Sequence, residues 1–145
     1  MTILHATTIG RRHASRWQGV LIQGPSGSGK SDLALRAMAA GWRLVADDRT
    51  VIWRSGGRLF GRAPAALHGL VEARGLGVMT VDVLPMVEIA LVVSCAPDAT
   101  TIERMPEEGM VNILGATLPR VRLFASEASA VAKVTLALQG IFTAL

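Results

Sequence analysis

Eight consecutive residues constrain this chain more than any other stretch: Gly24, Pro25, Ser26, Gly27, Ser28, Gly29, Lys30 and Ser31 spell G-x-x-x-x-G-K-S. The short apolar run before them, residues 19–23, is stopped by Gly24 and Pro25 and predicts a buried strand. After them Leu33, Ala34, Ala37 and Met38 recur at helical spacing, which predicts a helix over residues 30–40 ended by Gly41. Strand, glycine loop and helix in this order are the setting in which the motif binds phosphate. The glycines let several backbone N–H groups converge on one anion, and the positive end of the following helix adds to the field. In such a loop Lys30 reaches the β- and γ-phosphates, and the Ser31 hydroxyl ligates a divalent metal that bridges them. ATP with magnesium is the cofactor pair this implies, on an α/β fold with a P-loop (Walker A) core.

Composition narrows the setting. The chain has 145 residues, half of them apolar and 18% charged, which suits one packed domain over residues 1–145. Residues 83–96, the longest nearly apolar stretch, contain Glu88 and are too short to span a bilayer as a helix. Arg11, Arg12 and Arg16 follow a short apolar run instead of preceding it, the wrong order for a secretory signal, so a cytoplasmic protein without a membrane span is expected. The single cysteine, Cys95, sits in an apolar run and reads as a buried, inert thiol. The net charge of +4 suits a phosphorylated ligand, an acidic protein partner or nucleic acid equally and does not choose between them. Nucleic acid is disfavoured, because the arginines are dispersed and few aromatics interleave them. Of the 15 basic residues only Lys30 and Lys133 are lysines, so a chain that otherwise uses arginine keeps lysine in the phosphate loop.

Along the chain, residues 2–9 look extended and residues 10–16 form a polar basic turn leading to the 19–23 strand. Residues 42–46 predict a strand ending at Asp47 and Asp48, and residues 50–53 and 58–60 flank Ser55, Gly56 and Gly57 as a hairpin. Residues 67–77 mix apolar, charged and glycine residues, and 78–83 and 88–94 predict strands. Residues 97–115, punctuated by Pro97, Pro106, Gly109 and Gly115, read mostly as loop with room for a short helical turn. Residues 129–145 carry Lys133 as their only charge and predict an apolar helix, packed in the core or against another subunit. Several hairpins and few crossover helices point to a mixed β-sheet.

A phosphate loop needs a carboxylate near its metal, commonly at the end of a neighbouring buried strand, and Leu44, Val45, Ala46, Asp47 and Asp48 supply that pattern. Two acids stand there. One can serve the metal while the other accepts the proton of an attacking hydroxyl, which favours a kinase over a simple NTPase.

The phosphate loop, Ala46, Asp47, Asp48 and Arg49, and above all Glu72, Ala73, Arg74, Gly75, Leu76, Gly77 and Val78 resemble the catalytic domain of HPr kinase/phosphorylase, clearly over residues 19–83. The resemblance implies an enzyme that phosphorylates a serine of HPr, a small phosphocarrier of the sugar phosphotransferase system, with ATP. It also implies removal of that phosphate by inorganic phosphate, releasing pyrophosphate. Residue by residue, Lys30 would bind the phosphates, Ser31 and Glu72 would hold magnesium, and Asp48 would accept the proton with Asp47 supporting it. The family's active-site histidine corresponds by place to His5, with His13 as the alternative. A family arginine beyond the central sheet corresponds to Arg104, from its neighbours Glu103, Met105 and Pro106. Residues 74–80 match the family signature for phosphorolysis. The family's basic, glycine-containing loop before the final helix is not evident in Phe124, Ala125, Ser126, Glu127 and Ala128. The chain resembles short forms that lack the N-terminal domain of many relatives, and the family implies a homo-oligomer, a hexamer. Two other readings stay open: a P-loop kinase of small molecules, and a nucleotide-sensing regulatory module without turnover.

Overall fold

The computed structural model describes residues 1–104 and 109–143. Its strands and α-helices are β1 (Thr2–Leu4), β2 (Ala6–His13), β3 (Arg16–Gln23), α1 (Lys30–Ala39), β4 (Arg43–Ala46), β5 (Thr50–Ser55), β6 (Arg58–Arg62), β7 (Leu70–Ala73), β8 (Gly77–Thr80), β9 (Val87–Cys95), β10 (Gly109–Ile113), β11 (Ala116–Leu123) and α2 (Ala130–Thr143). One mixed sheet runs β1-β5-β6-β9-β3-β2-β4, with β11 also on β9 and β10 on β11. The fold is the expected α/β arrangement.

Strand β3 sits inside this sheet, antiparallel to β2 and parallel to β9. It is apolar on both faces because both are covered: Val20 and Ile22 join the cluster beneath the helices, and Leu21 joins the cluster on the other side. Leu33, Ala34 and Ala37 of α1 and Ala130, Val134 and Leu138 of α2 close the first cluster. Ile52, Leu59 and Ala116 help close the second.

Strand β9 changes faces midway. Gly19 pairs with Ile89 but Val20 pairs with Leu91, so Ala90 is an extra residue on the β9 side. A one-residue bulge reverses the inward set of a strand. Val87 and Ile89 accordingly face the second cluster, whereas Leu91 and Val93 face the helices. The same strand forks the sheet: Val87 and Glu88 pair with β6, and Val92, Val93, Ser94 and Cys95 pair with β11.

Three regions differ from the sequence expectation. The basic turn over residues 10–16 is mostly strand, since the β2–β3 ladder continues to the His13–Arg16 pair and only Ala14 and Ser15 turn. Cross-strand pairing satisfies that backbone while Arg12 and Arg16 stay in solvent and half-buried Arg11 donates to Gln18 across the hairpin, so polarity there is not a turn signal. Residues 97–115 do contain a short 3-10 turn, Ala99–Thr101, whose first N–H groups are capped by Asp98. They also contain β10, which pairs with β11 and carries alternating exposure. Within residues 67–77, β7 forms a separate antiparallel hairpin with β8, and the strand expected over 78–83 stops at Thr80. Among the described residues no helix is long and apolar enough to cross a membrane.

Leu33 is fully buried and anchors the helix that follows the phosphate loop. Leu33→Ala should therefore lower unfolding free energy by about 3 kcal/mol. Urea denaturation checks this, with a displaced midpoint at unchanged slope.

Candidate active site

The loop of residues 24–31 leaves the end of β3 and enters α1 directly. Gly24 is required by close approach: a Cβ there would lie 2.6 Å from Ser28 Oγ and 2.9 Å from the Cβ of Cys95, on the end of β9. Gly29 has a φ of 94° and immediately precedes α1, with no side chain capping the helix. The first helical N–H groups are left for a ligand. Lys30 is buried, and its Nζ donates to the carbonyls of Gly24 at 2.8 Å and Pro25 at 3.1 Å. An ammonium has three donors, so one remains for an incoming anion.

The two acids at the end of β4 have different surroundings. Asp47 is 6% exposed. Its Oδ1 accepts from Thr7 Oγ1 at 2.9 Å and Ser31 Oγ at 2.7 Å, and its Oδ2 accepts from the Glu72 backbone N–H at 3.0 Å. The Asp48 side chain is 55% exposed. Its Oδ1 accepts from His5 Nε2 at 2.7 Å and its Oδ2 from Arg49 Nη1 at 3.1 Å. Its backbone has a φ of 67°, a left-handed conformation that aspartate tolerates better than most residues.

Asp48, Lys30, Ser31 and Glu72 line one cleft of about 430 Å³ together with Arg74 and Ser126. Ser31 directs its only proton to Asp47, which leaves its oxygen lone pairs for a cation. Glu72 is exposed on the same cleft while its backbone is pinned to Asp47. Ser31 and Glu72 are therefore a donor set that fits magnesium, which takes few protein oxygens and completes its shell with phosphate and water. Among the described residues no group of three or more His, Cys, Asp and Glu would cage a metal unaided.

Of the two candidate histidines, His5 and His13, His5 is brought to Asp48. His13 lies at the far end of the β2–β3 hairpin, seven strand residues or about 23 Å from the phosphate loop. Arg104 is exposed beyond the 3-10 turn and is not among the residues lining the cleft. Met105 and Pro106, on which its correspondence rested, lie outside the described residues. Asp47 and Asp48 are linked through Thr7, whose hydroxyl donates to the Asp47 carboxylate and accepts from the Asp48 N–H at 3.2 Å.

Sequence reasoning passed over Thr7, Arg36 and Ser126. A threonine in an otherwise unremarkable strand gives no sign of its partner 40 residues away. Arg36 pairs with Asp32 and donates to the carbonyls of Ala125 and Glu127, which fixes the segment before α2 against α1. Glu127 is itself paired with Lys133, so the acid that replaces a basic loop is compensated locally.

Burial pushes the Cys95 thiol above its ordinary range, and its contact with Ser28 and the nearby Lys30 charge oppose this only in part. Cys95 is half-buried where the sequence reading expected full burial, because it lies at the end of β9 beside the phosphate loop.

Comparison with known proteins follows the same lines. The family model described as HPr Serine kinase C-terminal domain matches residues 17–138. The HPr kinase/phosphorylase of Limosilactobacillus reuteri (strain DSM 20016) is 37% identical over 115 residues, which cover 71% of this chain and 36% of that protein. That of Mycoplasma genitalium is 45% identical over 64 residues, 44% of this chain and 21% of the relative. The chain thus spans well under half the length of these curated relatives. The solved structure of the Hpr(Ser) kinase/phosphatase from Coxiella burnetii superposes with a TM-score of 0.79 at 23% identity, covering 97% of this chain and 95% of that one. That likeness is one of fold.

Because the Cys95 pKa is raised, its thiolate fraction at about pH 8 is below that of a free cysteine. Alkylation by iodoacetamide should be slower than for free cysteine and should accelerate as pH rises further. A rate equal to that of the free amino acid would contradict the assigned environment.

Proposed function

The chain belongs to the HPr serine kinase C-terminal domain family, and from that membership and the cleft geometry we propose that it phosphorylates a serine of an HPr-type phosphocarrier with ATP and magnesium and reverses this by phosphorolysis. The observation that carries the reading is the pairing of an exposed, His5-held Asp48 with Lys30 and Ser31 in one cleft. A carboxylate poised beside a phosphate loop is what transfer to an alcohol requires and what simple nucleotide binding does not.

In the proposed forward step the serine oxygen bonds to the γ-phosphorus, the bond from that phosphorus to the β–γ bridging oxygen breaks, and the serine proton passes to Asp48. Lys30 and the loop N–H groups hold the phosphates, while Ser31 and Glu72 would hold magnesium, which when bound would supply countercharge to the phosphate oxygens. His5 keeps the Asp48 carboxylate turned toward the cleft. In reverse, an oxygen of inorganic phosphate bonds to the phosphoserine phosphorus, pyrophosphate forms, and the proton on Asp48 returns to the departing serine oxygen. Arg74, on the cleft wall, gives this second anion a countercharge. We place the whole activity in one catalytic domain over residues 1–145, working as a homo-oligomer, hexameric by family resemblance. Exposed Leu76, Val78 and Met79 on the β7–β8 hairpin and Leu136 on α2 offer apolar surface for such an assembly.

The reading is tested by incubating the protein with magnesium, labelled ATP and HPr-type phosphocarriers, then adding inorganic phosphate. Serine labelling followed by phosphate-dependent release of pyrophosphate is expected. ATP binding without labelling would instead favour a nucleotide-sensing module, and ATP consumption only with a metabolite extract would favour a small-molecule kinase. Asp48→Asn should lower kcat by about 100-fold or more while changing ATP affinity by no more than about twofold, since it removes a base and no phosphate contact. Loss of ATP binding in that variant would overturn the role given to Asp48.

A further inference from the structure

Thr7 lies on β2, fully buried, two residues after His5. It is not a lining residue of the cleft. Its hydroxyl nevertheless makes two bonds that meet at the reacting end of the site: it donates to Asp47 Oδ1 at 2.9 Å and accepts from the Asp48 backbone N–H at 3.2 Å. A hydroxyl has one proton and two lone pairs, so both bonds are made at once by one atom. The Asp48 amide lies in the turn between β4 and β5, outside the strand ladders, and Thr7 is the partner it has.

The consequences follow from the backbone. Asp48 is held at a φ of 67°, a conformation that persists in a non-glycine residue only where neighbours determine it. The tight turn from Asp47 O to Arg49 N, at 2.7 Å, is one such determinant, the Arg49 Nη1 bond to the Asp48 carbonyl at 3.1 Å is a second, and Thr7, from a different strand, is a third. By holding the first acid at its side chain and the second at its backbone, the hydroxyl sets where the Asp48 carboxylate stands relative to His5. The neighbouring Thr8 does not share this role, because its hydroxyl pairs with Thr50.

We propose that Thr7 is a positioning residue that locks both acids into register through its single hydroxyl, so that the Asp48 carboxylate stands on the cleft wall within reach of His5. The proposal rests on the proposed role of Asp48 for its effect on catalysis, but the lock itself does not.

Two measurements on Thr7→Val and Thr7→Ser separate these parts. Valine keeps the branched shape and removes the hydroxyl, whereas serine keeps the hydroxyl. By amide hydrogen exchange followed with NMR, the Asp48 N–H should be protected in the wild type, exchange about tenfold or more faster in T7V, and regain protection in T7S. An unprotected Asp48 amide in the wild type, or one equally protected in T7V, overturns the lock, and the wild-type arm decides even if T7V does not fold. In the phosphocarrier assay T7V should lose about 10- to 100-fold in kcat with ATP affinity within about twofold of wild type, and T7S should recover most of the loss. Equal impairment of T7V and T7S would assign the effect to packing and overturn the positioning role, as would unchanged turnover in T7V. If the wild type labels no phosphocarrier, the proposed function falls while the exchange measurement still decides the lock.

Discussion

The Asp47 carboxylate is the contact on which the rest of the site depends. Three donors converge on it from three separate elements: Thr7 from β2, Ser31 from α1 and the Glu72 N–H from β7. An acid this buried is stable only when its oxygens are satisfied, and satisfying them fixes the relative positions of those elements. Every donor is neutral, so the group brings net negative charge to the floor of the cleft beneath the Ser31 hydroxyl. A cation at Ser31 and Glu72 would gain from that charge without competing for it, in the manner of an outer-shell ligand.

The sheet delivers these parts to one place. Strand β3 ends at the phosphate loop in the middle of the sheet, and β2 and β4 follow it outward to the edge. Antiparallel pairing of β2 with both neighbours puts its N-terminal residues beside the C-terminal ends of β3 and β4, as the Ala6–Gln23 and Thr8–Ala46 pairs record. His5 and Thr7 therefore meet Asp47 and Asp48 although about 40 residues separate them. On the far side of β3, the fork in β9 lets β11 run parallel to it, and the chain after β11 returns Ser126 to the cleft opposite the acids.

How much of this a sequence can disclose depends on how local the cause is. The phosphate loop was legible because its chemistry, its glycines and its flanking strand and helix lie within about 20 consecutive residues. The Asp47–Asp48 pair was legible because a phosphate loop calls for a carboxylate at the end of a neighbouring buried strand, and the run from Leu44 to Asp48 spells one. Thr7 was not, since a buried threonine declares itself only through a partner 40 positions away. The length of the strands in the β2–β3 hairpin, and β10, were misread for a related reason. Arginine, proline and glycine mark turns on average, but a cross-strand partner can satisfy the same backbone and leave polar side chains in water. Glu72 was assigned through resemblance alone, and its link to Asp47 is a backbone bond that carries no side-chain signature.

Two identical residues in succession end up with opposite environments, and a single torsion does much of the separating. An extended backbone would send the second acid to the face opposite the first. At Asp48 the φ of 67° interrupts that alternation just past the strand end, so one carboxylate is enclosed by hydrogen-bond donors and the next stands in the cleft between His5 and Arg49. Adjacent acids in similar solvent would repel each other at close range with little to distinguish them. Here burial commits Asp47 to structure and leaves Asp48 the one accessible to a substrate proton. The turn that achieves this is strained, short and held by a hydroxyl from another strand, which is why the chemistry proposed for Asp48 is tied to the integrity of β2 as closely as to the phosphate loop itself.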